Sequence, residues 1–136
     1  MDIKLIQFQS HGDERGSLIS LEEKKNIPFD IKRVYYLFGT ENKVTRGYHA
    51  HKELKQLAIV VKGSCRFRLG NGKEKIEILL DNPAQGLYVE SCIWREMFDF
   101  SEDCVLMVLA DSVYDESDYI RDYEDFLNYI EFNESE

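Results

Sequence analysis

The stretch Cys65-Arg66-Phe67-Arg68-Leu69-Gly70-Asn71-Gly72-Lys73-Glu74-Lys75-Ile76-Glu77-Ile78 alternates apolar and charged side chains on both sides of Gly70-Asn71-Gly72. Period two puts successive side chains on opposite faces of a strand, and a turn whose glycines tolerate positive φ joins two such strands into a hairpin. On either side of this hairpin, residues 56–61 and 104–110 are almost unbroken apolar runs. Runs of that length between turn residues belong in the middle of a closed or two-layered sheet. The same reading predicts strands over residues 4–9, 17–22, 31–38, 47–51, 56–62, 64–69, 75–80, 86–89, 93–99 and 104–110, with Pro28 and Pro83 between strands.

Only after Ser117 does the period change. Tyr119, Ile120, Tyr123, Phe126, Leu127 and Ile130 recur at helical spacing with acids on the opposite face, which predicts one amphipathic helix over about residues 117–132, N-capped by Asp115 or Ser117. With 136 residues, 43% hydrophobic, the chain can bury one core but not two. The expectation is therefore an all-β single domain over 1–136, its β portion running to about residue 112, followed by the C-terminal amphipathic helix.

Charge and cysteine usage narrow the function classes. There are 17 Lys plus Arg against 26 Asp plus Glu, a net charge of -9. From residue 111 onward ten acids face Arg121 alone, while the preceding residues balance 16 acids against 16 bases. This composition argues against nucleic-acid or anionic-membrane binding. No apolar run approaches the roughly 18 residues of a spanning helix, and Met1-Asp2-Ile3-Lys4 is not followed by the apolar stretch of a secretion signal, so a cytoplasmic location is expected. Cys65, Cys92 and Cys104 lie in apolar or strand-like contexts without a Cys-x-x-Cys pair, and are read as thiols rather than disulfides or zinc ligands.

The sharpest chemical feature is Arg46-Gly47-Tyr48-His49-Ala50-His51. Residues two apart on a strand share a face, so His49 and His51 present two imidazoles side by side, with Cα atoms roughly 6 to 7 Å apart. His49-x-His51, four residues, Gln56, six residues and Gly63 resemble the first motif of the cupin superfamily. That resemblance implies a jelly-roll β-barrel in which such spacing commonly holds a divalent metal. The second motif, after Pro83-Ala84-Gln85-Gly86, would supply a further ligand, but Ile93-Trp94-Arg95-Glu96-Met97 offers Arg95, a permanent cation that repels a metal. No metal and no other cofactor are expected, which leaves both histidines free to act as acid and base near neutral pH. Arg33, Tyr35 and Leu37 share one strand face, and an arginine on an inner face needs an anion. Arg33 and Arg46 flank the histidine strand and suit a bidentate clamp on a diphosphate. Trp94, beside Arg95, is a candidate for a base or sugar contact at the barrel mouth, against the alternative of a core filler.

Ile31-Lys32-Arg33-Val34-Tyr35-Tyr36, Arg46 through Lys52, Gly86-Leu87-Tyr88-Val89, Trp94-Arg95-Glu96-Met97 and Tyr114-Asp115-Glu116-Ser117-Asp118-Tyr119-Ile120-Arg121 together resemble the nucleotide-sugar 3,4-ketoisomerases, the WxcM-like cupins. The resemblance implies a metal-independent homodimer acting on dTDP-4-oxo-6-deoxyglucose, moving its carbonyl from C4 to C3 for the synthesis of 3-amino-3,6-dideoxy sugars. It assigns the proton transfers to His49 and His51, through a 3,4-enediol, and leaves open which ring serves carbon and which oxygen. Tyr35 is the candidate for polarising a sugar oxygen, and Arg33, Arg46 and Arg121 for holding the phosphates. For Arg121 a local pair with Asp118 or Asp125 is the alternative. Arg15 and Arg95 are placed against the hexose, where relatives vary, so the gluco or galacto outcome at C4 stays open. The competing readings are a nucleotide-sugar epimerase, a non-catalytic cupin sugar-nucleotide-binding module and a metal-dependent oxygenase.

Overall fold

The computed structural model describes residue 1 and residues 3–134. In chain order the elements are β1 (Lys4–Gln7), β2 (His11–Asp13), β3 (Gly16–Leu18), β4 (Arg33–Leu37), β5 (Arg46–His51), β6 (Gln56–Lys62), β7 (Cys65–Gly70), β8 (Lys75–Leu80), β9 (Gln85–Val89), β10 (Trp94–Phe98), β11 (Val105–Ala110), a 3-10 turn (Glu116–Asp118), β12 (Tyr119–Ile120) and α1 (Tyr123–Glu134). They form two five-stranded antiparallel sheets, β1-β9-β6-β11-β4 and β12-β5-β10-β7-β8, with β2 and β3 paired apart as a hairpin.

The alternation of β7 and β8 is realised in register, Phe67 opposite Ile78 and Leu69 opposite Ile76. Their inward residues meet Ala58, Val60, Leu106 and Val108 of the other sheet in a core between the two layers, where Phe67, Leu69, Leu87, Phe100 and Leu106 are fully buried. The apolar run of β6 is explained by cover on both faces. Ala58 and Val60 point between the sheets, while Leu57 and Ile59 lie under Ile27 and Phe29. The outer face of the second sheet is covered by α1, with Phe126 seated against Ala50, Trp94 and Ile120.

Three expectations are corrected. The sheets do not close into a hydrogen-bonded barrel: β4 at the edge of one and β5 with β12 at the edge of the other stand apart, and the opening between them is a cavity. The strand expected over residues 17–22 ends at Leu18 and pairs with the β2 segment, all of it exposed. Ile19 and Leu21 alternate as a strand would, yet they serve to cover the first sheet, and the backbone beyond them is satisfied by a local turn on the carbonyl of Glu22 and by the Asn26 side chain. Finally, the helix begins at Tyr123, where Asp122 accepts from the Asp125 N–H at 3.0 Å as its cap. Asp115 instead caps the 3-10 turn, and Tyr119 and Ile120, which fit helical spacing, pair as a strand with His51 and Ala50. Both periods accept an apolar pair at those two positions, and the free edge of β5 decides between them.

Candidate active site

Strand β5 carries the histidines and is not regular. Gly47 has φ +98° and Tyr48 φ +54°, and the pairing with β10 slips between Arg95 and Glu96. A Cβ on Gly47 would stand 2.8 Å from the Arg95 carbonyl oxygen, so only glycine allows this approach. The irregularity matters because strict alternation would place Arg46 and His49 on opposite faces. The bulge re-aims the strand, and both residues line the same cavity of about 460 Å³.

Arg33 and Tyr35 reach that cavity from β4, Arg46 and His49 from β5, Tyr119 from β12 and Arg121 from the segment joining β12 to α1. His51 and Arg95 lie fully buried beside them. The rings of His49 and His51 are 5.0 Å apart and nearly perpendicular, and Tyr119 rests against both, at 5.1 and 4.4 Å. His51 Nδ1 is 3.0 Å from Asp118 Oδ2, and His49 Nδ1 is 3.1 Å from the Gly47 carbonyl oxygen. Both partners only accept, so each neutral ring donates from Nδ1 and keeps a lone pair on Nε2. His51 Nε2 is buried without a protein partner among the described residues.

The electrostatics keep both rings neutral. Burial first and the Arg95 cation second push His49 down to about 4 and His51 to about 2. Burial also lowers the Arg95 guanidinium itself, to about 10. Its Nη2 donates to the Ile93 carbonyl at 2.8 Å, while Nε and Nη1 are buried with no acceptor among the described residues. Burial raises the Tyr35 hydroxyl, which stays protonated and able to donate. Arg33 lies over the rings of Tyr35 and Tyr114, 5.0 and 5.7 Å from their centres, and its Nε is buried without a hydrogen-bond partner among the described residues. Arg121 covers Tyr119 at 4.2 Å and pairs at 2.7 and 2.9 Å with Glu116, rather than with Asp118 or Asp125.

Two expected contacts are not brought to the cavity. Arg15 sits in the β2–β3 turn, its side chain 85% exposed and paired with Asp13 at 2.6 Å. Trp94 precedes Arg95 by one residue and so faces the other side of the sheet, where it fills the core under α1 and donates Nε1 to Glu96 at 3.0 Å. Conversely, the structure brings Asp118, Tyr119, Tyr114 and Glu116 to the site, which the sequence pattern does not mark. A helical reading of residues 117–132 hides Asp118 and Tyr119, although the three acids just ahead of Tyr119-Ile120 mark a turn into a strand as well as a helix cap, and no period marks Tyr114 and Glu116.

The donor set does not suit a divalent metal of the kind many cupins hold. Arg95 stands directly opposite His49 on the neighbouring strand, and among the described residues no three His, Cys, Asp or Glu converge on one point. What the arrangement can do is move protons between neighbouring atoms of an anionic ligand: two neutral bases at the back, a hydroxyl donor beside them and three guanidinium groups at the mouth.

Comparison with known proteins agrees. The family model described as FdtA, WxcM-like, C-terminal, matches residues 1–131. The TDP-4-oxo-6-deoxy-α-D-glucose 3,4-oxoisomerase of Aneurinibacillus thermoaerophilus is 55% identical over 130 residues, covering 96% of this chain and 94% of that one. A 3,4-ketoisomerase from Helicobacter canadensis superposes with a TM-score of 0.94 at 46% identity, over 96% of this chain and 98% of its own. The sugar 3,4-ketoisomerase QdtA from Thermoanaerobacterium thermosaccharolyticum, solved with TDP, gives 0.94 and 46% over 96% of each chain. Sheets, cavity and sequence therefore place this chain in the FdtA family of WxcM-like proteins.

Proposed function

We propose that the chain is a 3,4-ketoisomerase that moves the carbonyl of dTDP-4-oxo-6-deoxyglucose from C4 to C3 without a metal or other cofactor. The observation that carries this reading is the pair of neutral imidazoles, 5.0 Å apart, beneath a cavity whose mouth bears Arg33, Arg46 and Arg121. The C4 ketone acidifies the C3 hydrogen, and an imidazole Nε2 removes it while O4 gains a proton, giving the 3,4-enediol. C4 then gains a proton and O3 loses one, so hydrogens and electrons balance within the sugar. Tyr35 donates to a sugar oxygen, Arg95 lies beside the hexose, and the three mouth arginines hold the diphosphate. Arg121 exchanges Glu116 for phosphate when the ligand enters. The chain works as a single domain and a homodimer in the cytoplasm, supplying a 3-oxo sugar for amination in polysaccharide biosynthesis.

The test is NMR of dTDP-4-oxo-6-deoxyglucose incubated with the protein in deuterated water. The expected outcome is a carbonyl at C3 and one deuterium at C4, whose face reads the product epimer. Deuterium flanking a carbonyl that stays at C4 would identify an epimerase, and an unchanged, unlabelled sugar a binding module. Either result overturns the proposal.

A further inference from the structure

We infer that Asp118 is a positioning residue of this isomerase: its carboxylate holds His51 in the Nδ1–H tautomer and so makes Nε2 of that ring the proton acceptor that faces the sugar. The inference rests on the isomerase reading above and adds to it a residue outside the cavity lining.

The arrangement is held from several directions. Asp118 Oδ2 lies 3.0 Å from His51 Nδ1, and the ring is fully buried. Oδ1 accepts from the Glu53 N–H at 2.8 Å, Oδ2 also accepts from the Leu54 N–H at 3.3 Å, and the Asp118 carbonyl accepts from the Lys52 N–H at 2.9 Å. The next residue, Tyr119, is paired with His51 across the β5–β12 ladder. The strand that carries the base and the segment that carries the carboxylate are thus joined by backbone and side chain together, which fixes their separation. An ionised carboxylate has no proton to give, so the shared proton belongs to Nδ1 and the lone pair to Nε2. His49 has only the neutral Gly47 carbonyl in the equivalent place. The difference appears when a ring takes up a proton. His51 then faces a counter-charge in surroundings otherwise set by Arg95, Arg33 and Arg121, and can hold the proton between the two halves of the reaction.

Asp118 also staples residues 52–54, and the test must separate that task from the tautomer. In Asp118→Asn with the amide oxygen still accepting from the Glu53 N–H, the amide nitrogen takes the place of Oδ2, loses the bond from the Leu54 N–H and can only donate to His51, which selects the Nε2–H tautomer. The expected result is a fall in kcat on the order of 10²-fold or more, with KM for dTDP-4-oxo-6-deoxyglucose changed by less than about threefold. Nitrogen-15 NMR, with His51 assigned by its loss in His51→Asn, should show Nδ1–H in the unsubstituted protein and Nε2–H in the variant. A purely structural role would lower thermal stability and raise KM while leaving the tautomer in place, and would overturn the inference. So would an Nε2–H His51 in the unsubstituted protein, a result that needs no folded variant. An unsubstituted protein without turnover would sink the isomerase reading itself, whereas an active one indifferent to Asp118→Asn would sink this inference alone.

Discussion

Arg95 is a cation buried completely among two histidines and two tyrosines, with one backbone carbonyl as its hydrogen-bond acceptor. Such burial is costly unless a charge or a developing charge answers it, and an enediolate-like sugar oxygen in the cavity would supply one. Burial first and the Arg95 charge second keep both imidazoles neutral. Period two puts Arg95 and Met97 on one face of β10, while the expectation that Arg95 meets a hexose comes from the resemblance to the ketoisomerases. The depth of Arg95 is not legible in the sequence, because depth depends on how closely β5 and β10 approach. The depressed histidines have a consequence for stability. In the unfolded chain both rings take up protons near pH 6.5, whereas the folded chain refuses them until about 4 at His49 and about 2 at His51. The unfolded state therefore binds more protons below pH 6.5, and folding stability present above that pH is lost as pH falls toward 4. The melting temperature should decline steadily between pH 7 and 5, and less so in a His49→Gln, His51→Gln double variant; a flat profile in the unsubstituted protein would contradict the buried neutral rings.

The elements that sequence periodicity resolves best are those whose two faces have one fate each. β7 and β8 alternate cleanly, and β6 is apolar throughout because the sandwich core lies on one side and the 19–31 segment on the other. Segments whose apolar residues answer to a neighbouring edge or face are ambiguous. Residues 19–22 look like a strand and act as cover, and Tyr119-Ile120 look like helix and complete a sheet. The bulge in β5 belongs to this second kind, since no pattern of apolar residues announces it. Gly47 is the signal: its left-handed backbone and its 2.8 Å approach to the Arg95 carbonyl require the absence of a side chain. Gly47→Ala must push β5 away from β10 and swing His49 with it. A displacement of about 1 Å at a reacting group can cost on the order of 10²-fold in rate. The expected outcome is a loss of kcat of that order with a decrease in stability of about 1 to 2 kcal/mol, read by steady-state kinetics and thermal melts. A variant with unchanged kcat would show that the bulge does not aim the histidine.

At the scale of the whole molecule, a chain of net charge -9 concentrates three guanidinium groups at one opening between its sheets. They come from β4, β5 and the segment after β12, the last of these about 75 residues beyond the other two, and they meet where the sandwich stays open between β4 and the β5–β12 side of the second sheet. Alternation alone could direct Arg33 inward; it could not show that Arg121 swings over Tyr119 to the same place. The open edge and the basic mouth make one structure, since closing the barrel would fill the cavity that Arg33, Arg46 and Arg121 line. Arg33 is the most informative of the three. Its guanidinium lies over Tyr35 and Tyr114 and has no carboxylate partner among the described residues, so its removal leaves none of their acids unpaired. Binding to the folded state stabilises it by about 2.7 kcal/mol at a ligand concentration of 100 Kd, so TDP should raise the melting temperature of the unsubstituted protein. Arg33→Ala should shrink that rise and increase KM by about tenfold or more, the equivalent of one charge-assisted phosphate contact, with a smaller fall in kcat through the lost contact with Tyr35. An Arg33→Ala variant with unaltered KM and an undiminished TDP shift would remove this residue from the phosphate site and leave Arg46 and Arg121 to hold the diphosphate by themselves.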